Sequence, residues 1–289
     1  MKNLSIRLQV ILLTALSLVI LATITTTLSV SQSKEALMKN SYATLTTVRD
    51  MKKNQIQSFF SERVSDINVL SRSEDLHLLI KDLIGSHGEL GVPDTDPYPV
   101  ANDMVKKETA SHEEFFQGYA KDYGYYDIFV VCAKHGHVMY SAAKESDYGA
   151  NLTSGPLKES GLAEAYRGAL KNGRATFVDM KPYAPSNGAP AMFLAAPVNE
   201  DGEVRAVLIF QISNEAINKT MQYREGYGDT QEDYLVGFDK LMRSDSFLDP
   251  KGHSLKASFA NPSKGSVDTE ASREALAGKT DTKIVIDYN

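Results

Sequence analysis

The stretch "EAYRGALKNGRATFVDM", Glu164–Met180, reads as a helix running into a strand, and a second text of the same kind, "EASREALAGKTDTKIVIDY", begins at Glu270. Glu, Ala, Arg, Ala and Leu recur in register over Glu164–Leu170 and Glu270–Leu276. Upstream, "YDIFVVCAKHGHVMYS" has its counterpart in "EDYLVGFDKLMRSDS", so one module occurs twice. Working outward from the first copy, the order is "YDIFVVCAK", "HGHVMYSAA", helical "PLKESGLAEAYRGALKN", then "ATFVDM", "PAMFLAAPV" and "VRAVLIFQI". Two strands, a helix and three strands, with short turns at His135-Gly136 and Asp201-Gly202, describe an antiparallel sheet flanked by helices: an α+β chain. The second copy stops at Asn289. Its sheet is expected to be incomplete, and the chain reads as a piece of something longer.

Composition narrows the function. A chain of 289 residues with 42% hydrophobic residues can bury more than one core. A net charge of −6 offers no basic field for phosphates, so no nucleic-acid partner is expected. The one cysteine, Cys132, sits in the apolar run "DIFVVCA" and reads as a buried, inert thiol.

From Leu8 to Ser33 no residue is charged, and Leu8–Val30 is long enough for the roughly 20 residues a helix needs to cross a bilayer core. The expectation is a cytoplasmic tail over 1–7 and a transmembrane helix over 8–30, oriented by Lys2 and Arg7. A cleaved signal peptide is the rival, because the threonines lower the hydrophobicity; the apolar run nonetheless exceeds a signal core of roughly 7 to 15 residues. Either way the remainder is exported. Leu37, Leu45, Val48, Ile56, Phe59, Val64, Ile67 and Leu70 then recur at mostly three- and four-residue steps, predicting one long amphipathic helix over 31–84. It is either a stalk alone or also the seam of a homodimer. Gly85–Val100 reads as irregular chain, with a helix over Asn102–Tyr123 after it.

"YYDIFVV", "GHVMYS", "DMKPYAPSNGAPAMFLAAPV", "INKTMQYREGYGDTQEDYLVGFDKLMRSDS" and the opening "MKNLSIRLQVILLTALSLVI" together resemble the double Cache sensory region of bacterial transmembrane receptors, methyl-accepting chemotaxis proteins above all. The resemblance implies tandem PAS-like domains on one long helix: a membrane-distal domain over 85–220 holding a small molecule, and a truncated membrane-proximal one over 221–289 passing the signal on. Similar regions also precede histidine kinases and nucleotide cyclases, and an exported solute-binding protein is the alternative of another class.

The connection Phe177–Val198 carries Pro182, Pro185 and Pro190, more shape than a hairpin needs, and is expected to form a pocket rim. Candidate ligand-binding residues are Tyr126, Tyr140, Lys144, Tyr148, Asp179, Tyr183, Ser186 and Phe193, an aromatic wall with a few polar groups. Any one tyrosine could equally cap the core, and Asp179 could pair with Lys181 or start a turn. Cache domains that bind amino acids carry an Arg-x-Trp-Tyr motif and a loop aspartate. Here "ESDYGANLTSG" has neither Arg nor Trp, and Ala184 to Ser186 stand in the loop, so an α-amino acid is not expected. Lys144 suggests a small carboxylate instead.

No catalytic residue, metal or cofactor is expected. A G-x-S-x-G elbow and a phosphate loop are absent, and "HEEFF" lacks the second His of a zinc protease. "HGH", His135–His137, reads as a turn with side chains on opposite sides or in water. Asp94 and Asp96 lack the twelve-residue calcium-loop pattern, and "NLT" at Asn151 fits a glycosylation sequon.

Overall fold

The computed structural model describes residues 5–288; Lys2, with most of the expected tail, and Asn289 lie outside them. They divide into two compact units, residues 5–53 with 281–283 and residues 54–280 with 284–288.

The first unit is built on residues 6–53 of α1 (Ile6–Leu70), whose remaining residues belong to the second. Its apolar N-terminal part is exposed throughout and is long and apolar enough to cross a membrane. Most of the threonines that dilute its hydropathy have their hydroxyls paired within the helix. Thr14, Thr23, Thr25 and Thr27 each donate to the carbonyl four residues earlier, at 2.8–3.0 Å. Such back-bonding is what makes a hydroxyl tolerable in hydrocarbon.

The expected single helix over 31–84 is corrected. α1 stops at Leu70, and α2 (Glu74–Glu89) starts afresh after Ser73, whose hydroxyl accepts from the Leu76 backbone N–H. Ser73 followed by Glu74 and Asp75 is a helix start, stabilised by the cap and by acids in the first turn. The apolar spacing continues across it, which hides the break. Gly85 is accordingly helical rather than the first residue of a loop.

After α3 (Asp103–Tyr123), which ends on Gly124 with φ of 73°, come β1 (Tyr125–Cys132) and β2 (Val138–Ser141). α4 (Gly161–Asn172), β3 (Thr176–Pro182), β4 (Pro190–Glu200), β5 (Glu203–Ile212) and α5 (Asn214–Met221) follow. The strands form one antiparallel sheet in the order β2-β1-β5-β4-β3. Asp201 and Gly202, at φ of 50° and 85°, make the β4–β5 turn, both central residues having the positive φ of a tight hairpin.

The sheet is buried on both faces. Ile128, Val130, Leu194, Leu208 and Phe210 pack on α2, α3 and the end of α1 through Leu79, Phe116 and Ile67. Phe129, Val131, Phe193, Val207 and Ile209 pack on α4 through Leu162, Ala165 and Ala169. Double burial explains why β1 and β5 are apolar runs rather than alternating text.

Beyond α5 lie three short helices, α6 (Leu255–Ala260), α7 (Pro262–Gly265) and α8 (Glu270–Leu276). α8 stands where the repeat places its helix. Among the described residues, strand pairing there is confined to single bridges, Val236 with Met242 and Leu241 with Ser266.

Candidate functional site

The loop between β3 and β4 is rigid by construction. Tyr183 and Gly188 exchange backbone bonds with Ala189 and Tyr183, and Asn187 and Ala189 bond back to Ala184 and Ser186, all within 2.9–3.1 Å. Asn187 and Gly188, at φ of 55° and 75°, close the turn. The prolines therefore hold a self-closed flap, not an open one.

Beneath it the α4 face of the sheet carries polar side chains that converge. The Tyr183 hydroxyl donates to Asp147 Oδ2 at 2.6 Å, and the Tyr183 ring meets Phe193 edge-on at 5.1 Å. Ser186 donates to Glu145 Oε2 at 3.0 Å and accepts from Gln211 Nε2 at 3.2 Å; Tyr126 donates to Glu145 Oε1 at 2.7 Å. Two acceptors are buried with no donor: Asp147 Oδ1 and Gln211 Oε1. Among the described residues no ion pair reaches Asp127, Glu145 or Asp147.

Burial pushes the Asp147 carboxyl up, with the charge of Glu145 adding to it. Asp127, fully buried in β1, accepts from the backbone of Ile128, Ala142 and Ala143 and from Ser141 Oγ, fastening β1 to the chain after β2. Burial still outweighs those bonds and pushes its carboxyl up to about 7. Because the folded value lies above the unfolded one, its contribution is greatest below about pH 4 and is lost as pH rises through about 7. Asp127→Asn, which keeps the acceptor oxygen without the charge, is expected to melt higher than the parent at about pH 8, the gain shrinking towards about pH 5. Melting curves of the two proteins across that range check it; a gain independent of pH would contradict the assignment.

Of the eight residues singled out in the sequence, Tyr126, Tyr183, Ser186 and Phe193 come together here. Tyr140, Lys144 and Tyr148 do not. Tyr140 packs on Phe116 of α3, Tyr148 meets Thr109 of the same helix at 3.4 Å, and Lys144 pairs with Glu113. Lys144 is thus engaged by a carboxylate of the chain itself. Asp179 is also taken. Partial desolvation raises its carboxyl, yet Arg243, holding both its oxygens at 2.9 and 2.7 Å, keeps it below its usual range. Glu145, Asp147 and Gln211 belong to the network, Asp127 stands beside it opposite Gln211 in the sheet, and none of the four is among the eight. Two of them carry a signal in the sequence, a lone acid in "YDIFVV" and a lone amide in "LIFQI", polar groups in strands otherwise apolar around them.

A cavity of about 610 Å³ opens elsewhere, between the end of α1 (Val64, Asn68) and Gly173, Ala175 and Pro197. It is wide open and holds no convergent buried groups, so the site is placed by chemistry rather than by volume.

No protein-family model and no curated protein matches the chain. Among solved structures it is similar to the sensor domain of the Vibrio cholerae histidine kinase DctB (13% identity, TM-score 0.45) over 67% of this chain and 62% of that one, less than two thirds of its length. It is similar to the ligand-binding domain of the Pseudomonas fluorescens chemoreceptor CtaA in complex with L-serine (16% identity, TM-score 0.44, 74% of each chain). It is also similar to that of the Campylobacter jejuni chemoreceptor Tlp3 in complex with L-valine (13% identity, TM-score 0.42, 65% of each chain).

Proposed function

We propose that the chain is the extracytoplasmic ligand-sensing region of a membrane-anchored bacterial receptor, and that it takes a small cationic molecule beneath the 183–189 flap. The observation that carries this is the pair of buried acceptors without donors, Asp147 Oδ1 and Gln211 Oε1, in a site whose charged groups are all acidic. A buried carboxylate without a counter-charge is costly, and an amine supplies both the charge and the N–H donors that are missing. A carboxylate ligand would add a like charge.

The domain reading, ligand in 85–220 and transmission through 221–289, fits a physical link. The flap begins where β3 ends, and β3 carries Asp179, which is bonded to Arg243 of the following segment. A ligand that favours one setting of the flap would bias that link, provided its affinity differs between the two settings. Leu37, Leu45 and Met51, exposed on α1, would be covered in a homodimer. The output belongs to a chemotaxis, kinase or cyclase module, and no enzymatic role is assigned to this chain.

The test is a thermal-shift screen of the full chain in detergent against primary amines, diamines, quaternary ammonium compounds and small carboxylates. A ligand at about a hundredfold excess over Kd adds about 2.7 kcal/mol. An amine that raises the midpoint while size-matched carboxylates do not is the expected result; a response confined to carboxylates would overturn the reading.

A further inference from the structure

His135 and His137 do not splay apart as a two-residue spacing in a turn suggests. Gly136 between them has φ of 74°, and a Cβ there would stand 2.6 Å from Thr153 Cγ2, so the turn needs its glycine and brings both imidazoles to the same side. His87, in the last turn of α2, completes the group: its ring centroid lies 4.8 Å from that of His135 and 5.0 Å from that of His137. The three side chains offer ligand nitrogens all within 4.8 Å of one another.

The nitrogens are short of partners. His137 is fully buried, and neither of its ring nitrogens makes a well-aligned hydrogen bond, although the backbone of Asp96 lies near them; His87 Nε2 and His135 Nε2 are likewise shielded and without a well-aligned bond. Asp94 Oδ1 stands 3.2 Å from His135 Nε2 without the alignment of a hydrogen bond, and Cys132 Sγ lies 3.8 Å from the other nitrogen of that ring. A structural role for buried histidines would give each ring a donor or acceptor. Three ring nitrogens within 4.8 Å of one another can be satisfied by one shared cation, once the stacked His87 and His135 rings turn to bring their in-plane lone pairs towards it.

The surroundings hold the group in place. Asn151 pairs with His137 across an isolated bridge, donates to the Asp94 carbonyl at 2.8 Å and accepts from Thr153. Ser154 fixes the same loop through the Thr95 carbonyl at 2.6 Å. Asn151 is thereby buried and engaged, which removes the sequon from consideration.

We infer that His87, His135 and His137, with Asp94 as an oxygen ligand, form a binding site for a divalent transition-metal ion of the zinc class, separate from the site under the flap. Imidazole nitrogens with one carboxylate suit zinc, nickel, cobalt or copper rather than calcium or magnesium. Nitrogens at tetrahedral corners with bonds of about 2.0 Å stand about 3.3 Å apart, so loading draws the rings inward by about 1.5 Å at most. The ion would tie α2 to the β1–β2 turn, two elements otherwise joined there by side-chain packing.

The experiment titrates ZnCl2 calorimetrically into the full chain in detergent at about pH 7.5, with Co2+ absorption as a second readout of coordination geometry. One zinc per chain, with Co2+ bands of tetrahedral intensity, is expected. His137→Gln should weaken binding at least about a hundredfold, and Asp94→Asn about tenfold. His112→Gln, at a histidine of α3 paired with Asp82 of α2, should change nothing. His87→Ala, at a partly exposed position, guards against loss of fold and should also abolish the Co2+ bands. No heat at about 100 μM zinc, or binding equal in parent, His137→Gln and His87→Ala, would overturn the assignment.

Discussion

Arg243→Ala is expected to lower the unfolding free energy of the sheet-bearing unit by about 3 kcal/mol. Arg243 is 7% exposed, and its guanidinium spends its donors on Asp179, on Asp239 Oδ2 at 3.0 Å and on the Leu241 carbonyl at 3.0 Å, while its central carbon lies 5.2 Å from the Phe259 ring centroid. Asp179 and Asp239 keep side-chain exposures of 51% and 44%, so both can be rehydrated once the arginine is gone, which holds the loss below that of a fully buried pair. The lost packing and the bidentate geometry make up the rest. Arg243→Lys should recover little, since a point charge cannot hold both Asp179 oxygens and the carbonyl together. Gly237→Ala supplies an independent check: a Cβ there would stand 2.2 Å from the Arg243 guanidinium carbon, so the substitution must displace the clamp without touching its charge. Denaturant unfolding of the three variants measures this, and a parent-like Arg243→Ala would remove the clamp from the proposed route of transmission.

What the sequence made legible follows from range. The apolar run of α1, the Asp201-Gly202 hairpin and the helix–strand order are readable because each is written in adjacent residues. The break at Ser73 is not, since the apolar spacing runs through it and only the cap betrays it. The eight candidate residues divide according to which face of a doubly buried sheet each occupies. In a strand such as "VMYS", buried at every position, alternation gives no sign of which face holds the pocket, so Tyr140 could be assigned to the loop when it lies against α3. Asp179 with Arg243, and His87 with the His135–His137 turn, are pairings across the fold that local text does not encode. Asp127 and Gln211 are different, because a lone polar residue inside an apolar strand requires a partner and so marks a network in the sequence itself.

Asp147→Asn is expected to weaken the amine that stabilises the parent by at least about a hundredfold, about 2.7 kcal/mol, while making the ligand-free protein more stable. Both effects come from one atom pair. Asp147 is fully buried; Oδ2 accepts from Tyr183, and Oδ1 has no donor until a ligand provides one. Without ligand, the site holds a carboxyl that burial pushes up, and ionising it at neutral pH costs stability that an amide does not lose. With ligand, the ion pair offsets that cost, and asparagine can supply the acceptor oxygen but not the charge. Affinity in the parent should therefore rise with pH as Asp147 ionises, for as long as the amine stays protonated, and the rise should be reduced in Asp147→Asn. Ser186→Ala, which breaks the bridge between Glu145 and Gln211 but leaves the charge, should weaken binding only about tenfold and leave the pH dependence intact. General damage to the fold would lower ligand-free stability and affinity together. Opposite signs in the two measurements separate a binding carboxylate from a structural one, and an Asp147→Asn protein with parent affinity would return Asp147 to the core.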